Sequence, residues 1–200
     1  QIESVETDSS IQPDEISEYD QMIGNVSSQY GTTPENLEDI MNRIAYHETG
    51  PSQRMNPKAI QRVGIGTNID GTTEIGEGVG RGLFQFETGQ DQGGATAMNR
   101  LQRYYEQNQM EVPSWTQYDS SKGVDASQLT PEQQKMMFLA NTTLGKGRSF
   151  EGVDSDNLAN WWNEFHYAGP ENKMGLFNES MNAYDINNKP SIEEQAFTGY

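Results

Sequence analysis

The side chain with the clearest chemical potential is Glu48. Leu37, Ile40, Met41, Ile44 and Ala45 recur at i, i+3, i+4, i+7 and i+8, the spacing of one face of an α-helix. Glu48 follows Leu37 by eleven positions, close to three turns at ~3.6 residues per turn, so it falls in line with that apolar stripe at the helix C-terminal end. Apolar neighbours desolvate a carboxylate, and the helix C-terminus adds partial negative charge. Both effects are expected to push the carboxyl upward, toward a group that holds a proton for a leaving atom. A Glu at a helix end is also a common solvated residue, and helix geometry alone leaves both roles open.

Other chemistries are poorly served. The two histidines are His47 and His166, and His47-Glu48 is not followed by the second His of a His-Glu-x-x-His zinc site, so no metal is expected. The Gly-rich stretch lacks the Gly-Lys-Ser/Thr ending of a phosphate loop. A calcium loop started at Asp70 would place Arg81 where its bidentate Glu belongs. Cysteine is absent, which excludes disulfide scaffolds, zinc ribbons and thiol catalysis.

Three segments in order carry a resemblance. They are Glu48-Thr49-Gly50, then Gly80-Arg81-Gly82-Leu83-Phe84-Gln85-Phe86-Glu87, then Phe165-His166-Tyr167-Ala168-Gly169-Pro170. Together they resemble the lysozyme-like superfamily, particularly lytic transglycosylases and goose-type lysozymes. That family has a Glu closing a helix, then a Gly-Leu-Met-Gln element, then a Tyr-Asn-Ala-Gly-Pro element. The likeness spans about residues 30 to 185. It implies cleavage of the β-1,4 bond between N-acetylmuramic acid and N-acetylglucosamine in peptidoglycan, without a cofactor, with Glu48 as general acid/base.

The same resemblance implies that Gln85, Tyr167 and His166 position the glycan. The Gln85 amide donates to and accepts from a sugar, while Gly80 and Gly82 let backbone approach the substrate. Ala168-Gly169-Pro170 aligns directly, so His166 takes the family's Tyr position and Tyr167 its Asn position. Read from its surroundings alone, Tyr167 is equally a core aromatic beside Trp162.

A second carboxylate would decide the reaction type. Inversion needs a base ~6.5–9.5 Å from the acid, and retention a nucleophile at ~5–5.5 Å. Of Asp70, Glu74, Glu77 and Glu87, the last two are the nearest matches to the acids of goose-type enzymes, and Asp70 and Glu74 read as surface acids. Transglycosylases imply no second acid. There the Glu protonates the glycosidic oxygen and then acts as base on the muramyl 6-hydroxyl, which closes an anhydro ring. The expectation leans toward that reaction.

The elements that must position these groups are legible in outline. Thr33-Pro34-Glu35 starts the Glu48 helix with an N-cap, a Pro at the first position and an acid on the positive dipole end, and Gly50-Pro51 stops it. Seven glycines between Ile60 and Glu87, with the turn signal Asp70-Gly71, predict a small irregular antiparallel sheet. The helical period returns near Gly93 with Met98, Leu101 and Tyr105. Residues 111–128 read as a loop, in which Trp115 either lines a sugar cleft or anchors the chain. Thr130-Pro131-Glu132-Gln133 is a capping box before a helix through Met136–Ala140. Leu158, Trp161, Trp162 and Phe165 form another helical face, and Met174, Phe177, Met181 and Tyr184 a last one. The fold class is therefore α+β, mainly α: a helical body with a small irregular β lobe. The resemblance implies that the body is lysozyme-like, with the cleft between body and lobe and Glu48 at its floor.

Charge and composition bound the rest. Thirteen Lys and Arg against 30 Asp and Glu give a net charge of -17, which argues against nucleic acid and against an anionic membrane surface. Residues 1–25 hold seven acids and no base and are expected to be a flexible acidic tail; 26–185 form the catalytic domain, and 186–200 a polar C-terminal tail. The chain opens on Gln1 without a basic-then-apolar start, which reads as a processed chain or a piece of a larger polypeptide. Acidic tails and a Gly/Asn/Gln-rich composition look like a phage virion-associated muralytic domain, with other virion proteins as partners and action in the bacterial periplasm. A secreted bacterial enzyme is the alternative setting. A non-catalytic structural or glycan-binding virion module on the same fold is the alternative function.

Overall fold

A computed structural model describes residues 16–67, 73–145, 148–165 and 174–188. The Asp70-Gly71 turn and the segment from His166 to Pro170 lie outside them.

Helix α1 (Glu18–Gln29) leads into α2 (Pro34–Glu48). The Thr33 side chain accepts from the Asn36 amide at 3.1 Å, the cap expected of this sequence. Strands β1 (Ile60–Thr67), β2 (Thr73–Arg81) and the two-residue β3 (Phe86–Glu87) form an antiparallel sheet in that order. Its register shifts between Ile60 and Arg62 and again between Gly64 and Gly66. Helices α3 (Gly93–Gln107), α4 (Pro131–Thr143), α5 (Leu158–Phe165) and α6 (Met174–Asn188) complete the body. Short 3-10 turns at Ser114–Thr116 and Ala126–Gln128 punctuate the expected loop. The class is α+β and mainly α, as the periodicities imply. No helix among the described residues is long and apolar enough to cross a membrane.

One correction concerns the N-terminal boundary. Residues 18–25 are helix, not tail: Met22, Ile23 and Val26 are buried against the core, and Ser17 caps the helix by accepting from the Asp20 amide. Its acids are partly engaged, since Glu18 accepts from the Tyr105 hydroxyl at 3.2 Å and the Trp115 indole at 3.3 Å. The C-terminal boundary moves by less, with α6 running to Asn188.

The core runs through α2, α3, α4, α5 and α6, with Phe84 stacked on Phe138 at 4.4 Å where the β lobe meets the body. Gln134 on α4 fixes that junction. Fully buried, its Oε1 accepts from the Leu83 amide at 2.7 Å, and its Nε2 donates to the carbonyls of Pro57 (2.9 Å) and Leu129 (3.0 Å). Each backbone group so paired avoids the cost of burial without a partner, about 1–3 kcal/mol. Gln53 does similar work at the start of β1, exchanging two hydrogen bonds with the backbone of Ile60.

Candidate active site

The end of α2 is sharply defined. The Thr49 hydroxyl donates to the Ala45 carbonyl at 2.7 Å and accepts from the Met55 amide at 3.0 Å. Gly50 then takes a left-handed φ of 66°, which a side chain would strain. Glu48 is thereby held at the last turn, half-buried. The indole N–H of Trp162, on α5, donates to its Oε1 at 3.0 Å. Trp162 is itself fixed, stacked on Phe177 at 4.8 Å and met edge-on by the His47 ring at 4.7 Å. His47 Nδ1 lies 3.0 Å from the Ser180 hydroxyl.

Glu48 and Gln85 line two cavities in common. One, of about 470 Å³, runs along Phe84, Phe86, Glu87 and the start of α3, to Arg100, Asn141 and Arg148. The other, of about 330 Å³, is bounded by residues 49–53 and by Ile60, Gln61 and Arg62 of β1. The first therefore separates the Gln85 loop from the helical body, and the second lies against the β lobe. A larger cavity of about 670 Å³ at the α2–α6 surface contains Arg43, but that cation is already paired with Asp39 (2.6 Å) and Asp185 (2.7 Å).

Gln85 occupies a costly backbone conformation, with φ 48°. Its Nε2 donates to the Gly82 carbonyl at 2.7 Å, so part of the amide is spent holding the loop and the rest borders the two cavities. Gly82 is a correction. It is buried, with φ 77°, and a Cβ there would stand 2.3 Å from Gln134 Oε1. Gly80 is similarly crowded by Gln85 and Gln61. These glycines admit neighbouring protein atoms rather than a ligand.

The two candidate second carboxylates separate. Glu87 borders the larger Glu48 cavity. Glu77 lines neither cavity; it is exposed on β2, directly across the strand pair from Arg62. Tyr167 and His166 lie outside the described residues. Trp115 anchors its loop through Glu18 and borders neither Glu48 cavity. Among the described residues no group of three His, Asp or Glu side chains is arranged to hold a metal ion.

Three site residues escaped the sequence reading. Trp162 looked like part of an apolar stripe, although a buried indole N–H wants an acceptor. Arg100 and Arg148 are 48 positions apart in an acidic chain, and no local pattern joins them. Burial, and then the Arg100 charge, hold the Arg148 guanidinium below the ordinary arginine value.

No family model, no curated protein and no solved structure matches the chain.

Proposed function

We propose that this chain cleaves the glycan strands of peptidoglycan at the N-acetylmuramic acid–β-1,4–N-acetylglucosamine bond, as a lytic transglycosylase or lysozyme-type glycosidase. The observation that carries the reading is the position of Glu48: a half-buried carboxyl, anchored by Trp162, where two cavities share it with Gln85. A polymer laid through both cavities puts one of its linkages over this carboxyl. Protonation of the bridging oxygen by Glu48 starts cleavage, a step for which a positioned acid supplies about 10²–10⁴ in rate. The sugar's 6-hydroxyl or a water then gives up its proton to the same group as the new bond to the anomeric carbon forms. Gln85 hydrogen-bonds the glycan beside the reacting linkage. The setting that fits an acidic enzyme on an anionic wall is one delivered there as part of a virion, because like charge slows free encounter.

The test is zymography on peptidoglycan with the wild type and Glu48→Gln. The glutamine keeps an oxygen for the Trp162 indole and removes the transferable proton, so clearing should vanish while the fold stays intact. Equal clearing by both proteins overturns the assignment of Glu48. No clearing by a folded wild type favours a glycan-binding module instead. Mass spectrometry of the digest separates the chemistries, with anhydro-muropeptides from transglycosylation and reducing ends from hydrolysis.

A further inference from the structure

The cavity on the β-lobe side of Glu48 differs in charge from the rest of the molecule. Residues 49–67 hold three bases, Arg54, Lys58 and Arg62, and no acid, in a chain where acids outnumber bases 30 to 13. The three bases are not equivalent. Arg54 lies over the Tyr46 ring of α2 at 3.9 Å. Lys58 is exposed and does not border the cavity. Arg62 does border it, and the ionisable side chains on the described lining are Arg62 and Glu48.

The wall that carries Arg62 is built. The Gln53 amide holds both backbone groups of Ile60, which ties the loop after α2 to the start of β1. Successive residues of a regular strand point to opposite faces. Ile60, Gln61 and Arg62 nevertheless all border this cavity, and the register shift between Ile60 and Arg62 accounts for it. Gln61 folds back over β2, where its Oε1 accepts from the Gly80 amide at 3.2 Å. A Cβ on Gly78 would stand 2.3 Å from that oxygen, so the glycine makes room for the irregular strand. Glu77 stands directly across the strand pair from Arg62. Even so, Arg62 forms no ion pair with it or with any other described acid. An exposed guanidinium of this kind has little further desolvation to suffer when it meets an anion.

We infer that Arg62 is a specificity-determining residue that binds a carboxylate of the glycan strand on the β-lobe side of the cleaved linkage. The inference rests on the proposed function and narrows its substrate class to strands that carry free acid groups beside that linkage. The planar fork of a guanidinium matches a carboxylate. Exposed charges more than ~10 Å apart are largely screened at ~0.1 M salt. A carboxylate in this cavity therefore responds to Arg62 rather than to the acids spread over the remaining surface. Of the two acids nearby, Glu48 holds the proton when the substrate binds in the proposed mechanism, and Glu77 lies outside the cavity. On peptidoglycan the carboxylate has two sources: the lactyl group of a strand stripped of peptide, or the free carboxyls of an attached peptide.

The test is initial-rate kinetics of the full chain on four soluble substrates: peptide-bearing strands, amidase-stripped strands, and each of these with its carboxyls converted to amides. Within each pair the polymer is the same and only the charge differs. Wild type should show a kcat/KM about fivefold higher on the charged member of at least one pair, carried by KM, the upper end for an exposed ion pair. Arg62→Gln should cut both members of that pair with equal efficiency, and Arg62→Lys should keep part of the preference. Lys58→Gln removes the same charge from outside the cavity and should keep the preference in full. A preference confined to stripped strands identifies the lactyl carboxylate, and one confined to peptide-bearing strands the peptide carboxyls. No preference in wild type, or one that survives in Arg62→Gln, overturns the role of Arg62. An equal loss in Lys58→Gln assigns the preference to net charge and overturns it as well. If wild type cuts none of the four substrates, the glycan-cleaving reading fails instead. Calorimetric binding of the same pairs then decides the role of Arg62 alone: a preference for the charged member that is lost in Arg62→Gln supports it, and equal binding or none removes it.

Discussion

The indole N–H of Trp162 meets Oε1 of Glu48 at 3.0 Å, joining positions 114 residues apart. This hydrogen bond ties one carboxyl oxygen at the end of α2 to α5. Trp162→Phe keeps a ring over Phe177 but removes the donor together with part of the indole's packing. The expected result is a loss of about 2–3 kcal/mol in stability, the hydrogen bond and the lost packing together. Peptidoglycan cleavage by the folded variant should fall by about tenfold, because a loosened acid spends less time in the productive orientation. Urea unfolding and a turbidity assay on cell walls read the two effects. Unchanged activity in the phenylalanine variant would show that the indole is only packing.

Gln85 combines a strained backbone with a place in both cavities. Gln85→Gly relieves the left-handed conformation, which costs a side-chain-bearing residue about 1–2 kcal/mol. It also frees the unfolded chain by about 0.5–1 kcal/mol and loses a hydrogen bond of similar worth. Stability is therefore expected to stay within about 1 kcal/mol of wild type, while activity drops at least tenfold. A fully active glycine variant would remove Gln85 from the site.

How much of this was readable in advance follows from what kind of signal each feature leaves. Thr33-Pro34 and the Thr130–Gln133 capping box are local and sit where their residues imply. The stripe ending at Glu48 is periodic, and it carries the carboxyl to the last turn of α2, beside the two cavities. Helix α1 was missed because its acids dominate the composition, although Met22, Ile23 and Val26 already mark an apolar face. Gly82 invited a substrate role because a sequence does not display the Gln134 side chain that fills the space beside it. The Trp162–Glu48 bond and the Arg100–Arg148 pair exist only through tertiary packing, and no spacing rule encodes them.

Gln134 provides a stability test free of any functional assumption. Its amide satisfies one N–H and two carbonyls between the β lobe and α4. Gln134→Leu fills similar volume and leaves those groups without a partner. The expected cost is about 3 kcal/mol or more, in the range reserved for broken buried networks. Chemical denaturation measures it, and a loss under about 1 kcal/mol would mean that the lobe junction does not depend on this side chain.

The two outlying carboxylates should respond differently. Glu77→Gln alters an exposed cross-strand neighbour of Arg62, away from both cavities. Surface pairs of this kind contribute about 0–1 kcal/mol, so turnover should stay within about twofold. Glu87 borders the Glu48 cavity, and the product distribution decides what its removal does. If the digest contains anhydro-muropeptides, Glu87→Gln should retain turnover, since one carboxyl serves as both acid and base. If it contains reducing ends, the same variant should lose 10²-fold or more through the missing base. Loss of activity together with anhydro products would contradict this pairing of residue and reaction.

Alkaline pH should unfold the protein earlier than its lysines alone require. Burial, reinforced by the charge of Glu18, raises the phenol of the fully buried Tyr105 well above the ordinary tyrosine value. Burial raises Tyr30 and Tyr184 as well. In the unfolded chain these phenols ionise near pH ~10. Below that value both states hold the proton, and the stabilising contribution is complete. Between the unfolded and folded values only the unfolded chain releases it, so stability falls by about 1.4 kcal/mol per pH unit for each such tyrosine. Tyr105→Phe removes one of these protons, and its stability should decline less steeply between pH 9 and 11, by roughly that slope. Urea denaturation at stepped pH, with tyrosinate absorbance as a second readout, measures the difference. Parallel slopes for the two proteins would show that Tyr105 ionises as readily in the folded chain as in the unfolded one.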